Sequence, residues 1–155
     1  MKKRLYSLIF ILLTGTGAFA GDVEMETIGS SIASNLYLTY ISLGVLGDSY
    51  TKQVYDKEQT VNLVSIIVSQ AKVQKEQMAK LVKSSEVQDS DKAFLQNVIT
   101  CYQYLIDEGT YMVEFINTSG VPELKAQSDT ALKNYDSNRQ KAWALISKLL
   151  GFENK

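Results

Sequence analysis

One stretch limits the fold more than any other. Between Asp89 and Ser119 the polar residues Gln96, Thr100, Gln103, Asp107, Thr110 and Glu114 step by four and three. At helical spacing they form a single narrow line. Around that line stand Phe94, Leu95, Val98, Ile99, Cys101, Tyr102, Tyr104, Leu105, Ile106, Tyr111, Met112, Val113, Phe115 and Ile116. A helix with so thin a wettable edge must bury most of its circumference, which takes several companion elements.

The rest of the chain supplies three. From about Glu26 to Val54, the residues Ala33, Leu36, Tyr40, Leu43, Gly47, Tyr50 and Val54 step by three and four, with Ile32, Tyr37 and Ile41 widening the stripe. Gly44 and Gly47 interrupt it, and a break there would give five helices. The seam runs through both glycines, so the spacing predicts one continuous helix. The cost is about 1 kcal/mol per glycine, tolerable where the missing side chain admits a neighbour. Asp56 with Gln59 has the form of a capping box opening a second helix over 57–83. Its seam is Val61, Val64, Val68, Ala71, Met78 and Val82, interrupted by Lys75. Asp89, Ser90 and Asp91 place an N-cap and negative charge at the start of the third helix, 89–118. Pro122 opens a fourth over 122–150, with Gly151 as the terminating residue and Phe152 turned back on the last turn.

Pro122 is the sole proline, which argues against a turn-rich β sandwich. Four helices of similar length with short connections predict an all-α, antiparallel up-down-up-down four-helix bundle. The helices are expected at about 26–54, 57–83, 89–118 and 122–150.

The first twenty residues are read separately. Lys2, Lys3 and Arg4 precede an apolar run from Leu5 to Leu13, then small residues ending Ala18-Phe19-Ala20. That order describes a secretory signal peptide cleaved after Ala20, leaving the bundle in residues 21–155. An uncleaved anchor needs about 20 apolar residues, more than this run holds. No cysteine follows the small residues, so a lipoprotein anchor is not expected. The expected location is periplasmic or secreted, with no stable membrane insertion once the leader is gone. Residues 21–155 carry 13 Lys+Arg against 17 Asp+Glu, a net charge of −4, which gives no footprint for nucleic acid. Cys101 is the one cysteine, so no internal disulfide can form and the fold must hold by packing. On so apolar a helix it reads as a small buried hydrophobe.

The chemistry is bounded by absence. The chain has no histidine. This rules out a Glu-x-x-His di-iron centre, a histidine-ligated haem, a zinc site of the usual kind and a histidine-activated nucleophile. Gly44-Val45-Leu46-Gly47 lacks the spacing and the lysine of a phosphate loop. No catalytic residue, metal ligand or cofactor is therefore assigned. Asp107 and Glu114 lie on the polar line and read as carboxylates that keep it wet, whereas Glu108 stands off that line, at a position open to partial burial or a helix edge.

Counting inward from each turn puts Tyr40, Ala71, Tyr102 and Tyr135 near one height, with Gly109 facing Leu43, Val68 and Ala131 in the next layer. Buried phenols need hydrogen-bond partners, and Gln70, Gln74, Thr100 and Asn138 are placed to supply them. Two functions are compatible with this pattern. The first is a non-enzymatic interaction or structural module of the bacterial envelope, meeting an unknown protein partner through Tyr104, Tyr111 and Phe115. The second is a small-ligand binder or sensor using Tyr40, Gln70, Gln74, Tyr102, Tyr135 and Asn138. In architecture alone the chain resembles small bacterial envelope proteins, a likeness that carries no site over.

Overall fold

Four α-helices carry nearly all of the residues described by the computed structural model, which are 21–152 other than Glu86. They are α1 (Gly21–Thr51), α2 (Lys57–Val82), α3 (Asp89–Thr118) and α4 (Lys125–Leu149), the last preceded by a 3-10 turn at Pro122–Leu124. No strand occurs among the described residues. The proposed leader, 1–20, lies outside them. The described chain divides between Ser31 and Ile32 into two units, residues 21–31 and 32–152. In the second unit all four helices pack as an antiparallel up-down-up-down bundle, α1 entering it from Ile32 onward.

The helix ends follow local chemistry. Asp56 closes a true capping box: its Oδ1 accepts from the Gln59 backbone N–H at 2.8 Å, and the Gln59 side chain accepts from the Asp56 N–H at 3.2 Å. The N-cap of α3 is Gln88 rather than one of the aspartates, and it makes no side-chain cap bond. Asp89 and Asp91 sit instead inside the first turn, where their charge faces the positive end of the helix dipole. Pro122 begins the 3-10 turn, so α4 proper starts three residues later than expected. Gly151 adopts φ +69°, the left-handed conformation that ends a helix cheaply only for glycine. Phe152 then turns back toward α4, its ring 6.3 Å from that of Trp143.

α1 does not break. It passes through Gly44 and Gly47, and at Gly44 the missing side chain makes room for a neighbour. A Cβ at Gly44 would lie 2.4 Å from Nη2 of Arg139, and one at Gly47 would meet Met112 and the Tyr135 hydroxyl at 3.4 Å. Gly109 does the same for α3, where a Cβ would lie 2.4 Å from Val68. Leu43 is also at Gly109, as expected, but Val64 rather than Ala131 completes its surroundings.

Cross-helix contacts fix the directions. Asn35 meets Tyr102, and Tyr50 meets Ser119, so α1 and α3 run parallel. Lys57 reaches the Asn117 carbonyl while Lys75 reaches Gln103, so α2 opposes α3. The core is built of Leu36, Leu43 and Leu46 from α1, Val64, Val68, Ala71 and Met78 from α2, and Ala142 and Ile146 from α4. They surround Leu95, Val98, Cys101, Tyr102, Leu105, Ile106, Met112 and Ile116 of α3. The helix with the thinnest polar line thus contributes more buried side chains than any other, as the burial demand of its sequence requires.

Candidate functional site

The densest chemistry of the bundle lies where α1, α3 and α4 meet, and it starts from a carboxylate in the core. Cys101, Leu105, Glu108 and Met112 form one row on α3, spaced four, three and four. Glu108 is 0% exposed, like the cysteine and leucine before it. Of the two places the sequence leaves open for Glu108, partial burial or a helix edge, it takes burial, and completely, at a core position of α3.

Its partner comes from α4. Arg139 Nη1 donates to Glu108 Oε1 at 2.7 Å and to the Tyr40 carbonyl oxygen at 3.3 Å. The guanidinium lies over the Tyr40 ring, 4.0 Å from its centroid, in the space that Gly44 leaves open. Tyr40 stacks in turn on Trp143 at 5.4 Å, and Tyr37 and Phe152 complete an aromatic cluster around that indole. The second carboxylate oxygen, Oε2, is buried and has no hydrogen-bond partner among the described residues. An ion pair so placed is expensive to desolvate and fragile to the loss of either member.

The burial reads out in the titration behaviour. Desolvation raises Glu108 to about 7, against the hydrogen bond and positive charge of Arg139, which pull it down. Arg139 itself is driven up: burial opposes its charge, but the hydrogen bond and charge of Glu108 outweigh burial, aided by Tyr135 and Tyr40. Cys101 is raised to about 12, first by desolvation and then by the nearby negative charge of Glu108. Tyr135 is also raised to about 12, mainly by burial. A thiol held that far from ionisation is no nucleophile at neutral pH. Its Sγ sits 3.8 Å from the Ala142 carbonyl, as a buried hydrophobe with a weak donor.

The tyrosines expected at one height are spread along the axis. Tyr135 stands against Gly47, Tyr40 against Arg139 and Trp143, and Tyr102 beside Asn35. They do not form one layer. The Tyr102 hydroxyl donates to Asn35 Oδ1 at 3.0 Å, a partner the spacing did not suggest. Thr100 donates its hydroxyl to the Gln96 carbonyl and Asn138 its amide to the Asn134 carbonyl, while the Tyr102 phenol goes to Asn35. Three of the six proposed ligand residues do come together. Gln70, Gln74 and Tyr102 line a groove of about 510 Å³ between α1 and α2, with Asn35 and Thr39 opposite. Tyr40, Tyr135 and Asn138 are not part of it.

Of the proposed partner residues, Tyr104 and Phe115 pack against the core and Tyr111 is half-buried, so the three do not stand clear of the fold. The Tyr104 ring faces the Lys141 ammonium at 5.6 Å, and Phe115 lines a cleft with the residues that open α4. Exposed apolar side chains include Val121, which shares the Phe115 cleft, and Leu132 and Trp143 on α4, besides a set on α1 and α2. On α1, Leu38 is 62% and Val45 56% exposed, with Ile41 between them, and on α2, Ile66 is 48% and Val73 52% exposed, with Leu63 nearby. Of these, Val73 lines the groove. No charged residue occurs from 32 to 47 or from 59 to 71, whereas α4 carries seven over its length.

Among the described residues no group of acidic and cysteine side chains is arranged to hold a metal ion, and no helix is long and apolar enough to cross a membrane. No family model matches the chain, and neither a curated protein nor a solved structure matches it.

Proposed function

We propose that this protein is an exported, non-enzymatic helical bundle that serves as an interaction module of the bacterial envelope, docking a protein partner on the face shared by α1 and α2. The observation that carries this reading is the set of exposed aliphatic side chains Leu38, Ile41, Val45, Leu63 and Ile66, all within charge-free runs of α1 and α2. Contiguous apolar surface rimmed by polar side chains marks interaction sites, because leaving it in water has a standing cost. The non-enzymatic part draws support from a histidine-free chain, a thiol raised to about 12 and a carboxyl enclosed beneath Arg139. Export rests on the charged, apolar and small-residue order of residues 2–20.

A photo-crosslinking residue placed at Leu38 or Val73 in the living host tests the reading. Adducts should form there and not at Leu132, an exposed aliphatic on α4. Equal labelling at all three positions, or none, would count against an α1–α2 interface. N-terminal sequencing of the host-made protein should begin at Gly21.

The groove favours a second use of the same face. Its lining of Asn35, Thr39, Ser69, Gln70, Gln74 and Tyr102 is uncharged and rich in both donors and acceptors, which suits a neutral, hydrogen-bonding small molecule. Native mass spectrometry of the host-purified protein should then show a retained mass, lost on Gln70→Ala/Gln74→Ala substitution.

A further inference from the structure

We infer that the groove between α1 and α2 binds the main chain of an extended, uncharged peptide segment, holding its amides between Asn35 on one wall and Gln70 and Gln74 on the other. The inference rests on the reading of the groove as a binding site and names the class of its ligand.

Unspent hydrogen-bonding groups carry it. The Tyr102 hydroxyl donates to Asn35 Oδ1 at 3.0 Å, and Tyr102 is 2% exposed. Burial raises that phenol to about 12, so it stays a donor at neutral pH. A carboxamide held by its oxygen has its nitrogen left to offer, so Asn35 presents N–H donors suited to a carbonyl oxygen. Thr39 stands one turn further along the same wall; its hydroxyl donates to the Asn35 carbonyl and keeps its own lone pairs as acceptors. Opposite, Gln70 and Gln74 make no hydrogen bond to another described residue. Each sets a donor beside an acceptor, the complement of a peptide unit.

Spacing selects an extended chain. Gln70 and Gln74 are one helical turn apart, about 6 Å along α2 at 1.5 Å per residue, and Asn35 and Thr39 repeat that interval on α1. An extended chain turns its N–H and C=O groups to the same side at every second residue, about 6.6 Å apart, and to the opposite side in between. Polar groups on two facing walls at nearly that interval match it. The lining from Ile67 to Gln74 runs about 10 Å, room for about three such residues.

Other ligand classes meet obstacles. No charged side chain lines the groove, so an ionic ligand would shed its hydration without a partner. Tyr102 is the one aromatic of the lining and is buried, so a ligand that binds by stacking has no ring to lie on. Ala71, 3% exposed, closes the floor beside Tyr102 and leaves space beneath a bound strand for small side chains only.

Equilibrating the purified protein with a random pool of end-blocked hexapeptides, free of charged residues and proline, and sequencing those retained tests the inference. Retained peptides should carry Gly, Ala or Ser at alternate positions, and a pool rich in Lys and Glu should yield at least about tenfold less. For a retained peptide, N-methylation of alternate main-chain amides should weaken binding about tenfold, the loss of about one or two hydrogen bonds, and Gln70→Ala/Gln74→Ala should do the same. Tyr102→Phe keeps the ring but frees the Asn35 amide to turn; it should weaken binding and shift the Asn35 side-chain N–H signals in NMR spectra. Should a variant fail to fold, the N-methylated peptides still decide the matter with the native protein. No retained peptide, or retention indifferent to both N-methylation and Gln70→Ala/Gln74→Ala, overturns the inference. A non-peptide mass held by host-purified protein and lost on the glutamine substitutions removes the peptide but keeps the groove as a ligand site. The absence of any retained mass and any retained peptide removes both.

Discussion

Replacing Arg139 by Met tests the central pair most directly. In the native fold Glu108 Oε1 has Arg139 as its hydrogen-bond partner at 2.7 Å, and Oε2 has none among the described residues. Methionine keeps much of the aliphatic volume and removes the charge, so both oxygens are stranded in the core. Breaking a buried pair in this way costs about 3–5 kcal/mol while the carboxylate is ionised. The sign with pH follows from the carboxyl itself. Its folded pKa is about 7, raised above its ordinary value of 4.5, so the native state binds the proton more tightly than the unfolded chain. The stability contributed by this group is fully present below pH 4.5 and is lost as pH rises through 7, a swing of about 3 kcal/mol at 1.36 kcal/mol per unit. Without Arg139 nothing opposes desolvation, and the folded pKa climbs further. At pH 5 the carboxyl is then neutral in both proteins, and the variant loses only a hydrogen bond and the stacking on Tyr40, about 1–2 kcal/mol. At pH 8 the wild-type carboxyl is largely ionised while the variant's must stay protonated to remain folded, so the variant loses about a further 1.4 kcal/mol, one pH unit above 7 at 1.36 kcal/mol per unit. Urea denaturation at the two pH values, with the Glu108 carboxyl carbon followed by NMR, gives the answer. A loss of equal size at pH 5 and pH 8, or a wild-type carboxyl titrating near 4.5, would refute the reasoning.

Further outcomes are expected at the glycines, the thiol and the α2 cap. Gly47→Ala should stabilise α1 by up to about 1 kcal/mol, because its new methyl meets Met112 and Tyr135 at an ordinary 3.4 Å. Gly109→Ala should instead cost about 1–3 kcal/mol, since its Cβ falls 2.4 Å from the branched, buried Val68; thermal unfolding of the two variants should move in opposite directions. Native protein at pH 8 should leave Ellman's reagent unreacted, with Cys101 released only in denaturant, since the thiol is fully buried and raised to about 12. Asp56→Ala should lower stability by about 1 kcal/mol by removing the N-terminal cap of α2, read from the urea midpoint.

Particular residues show how far the chain alone could be read. The row of apolar side chains on α3 dictated a bundle, since so much apolar surface has no other way out of water. The Asp56–Gln59 box and Gly151 marked helix ends through local bonding and local dihedral freedom, which neighbours in sequence suffice to set. The buried pair was different. Glu108 lies at core spacing from Cys101, Leu105 and Met112, and Arg139 is the only arginine of residues 21–155. Both signals were present, yet a three-four repeat on α4 fits either Asn138 or Arg139 after Tyr135. Spacing alone cannot choose between adjacent residues at the edge of a seam. Packing chose Arg139, because Gly44 on another helix opened the space for its guanidinium.

The tyrosines failed as a layer for a related reason. Heights counted from the turns err by a residue or two at every loop, and each residue shifts the level by 1.5 Å and rotates the side chain by about 100°. Periodicity, caps and the thin polar line of α3 are properties of one segment at a time, so the amino-acid order determined them: four helices, their approximate limits, and the helix that had to be enclosed. Which carboxylate is buried, which cation answers it, and which helix pair keeps an uncharged apolar face in water depend on the relative rotation of separate helices. Only three-dimensional packing sets that rotation, because it is the sum of many weak contacts between side chains far apart in the chain.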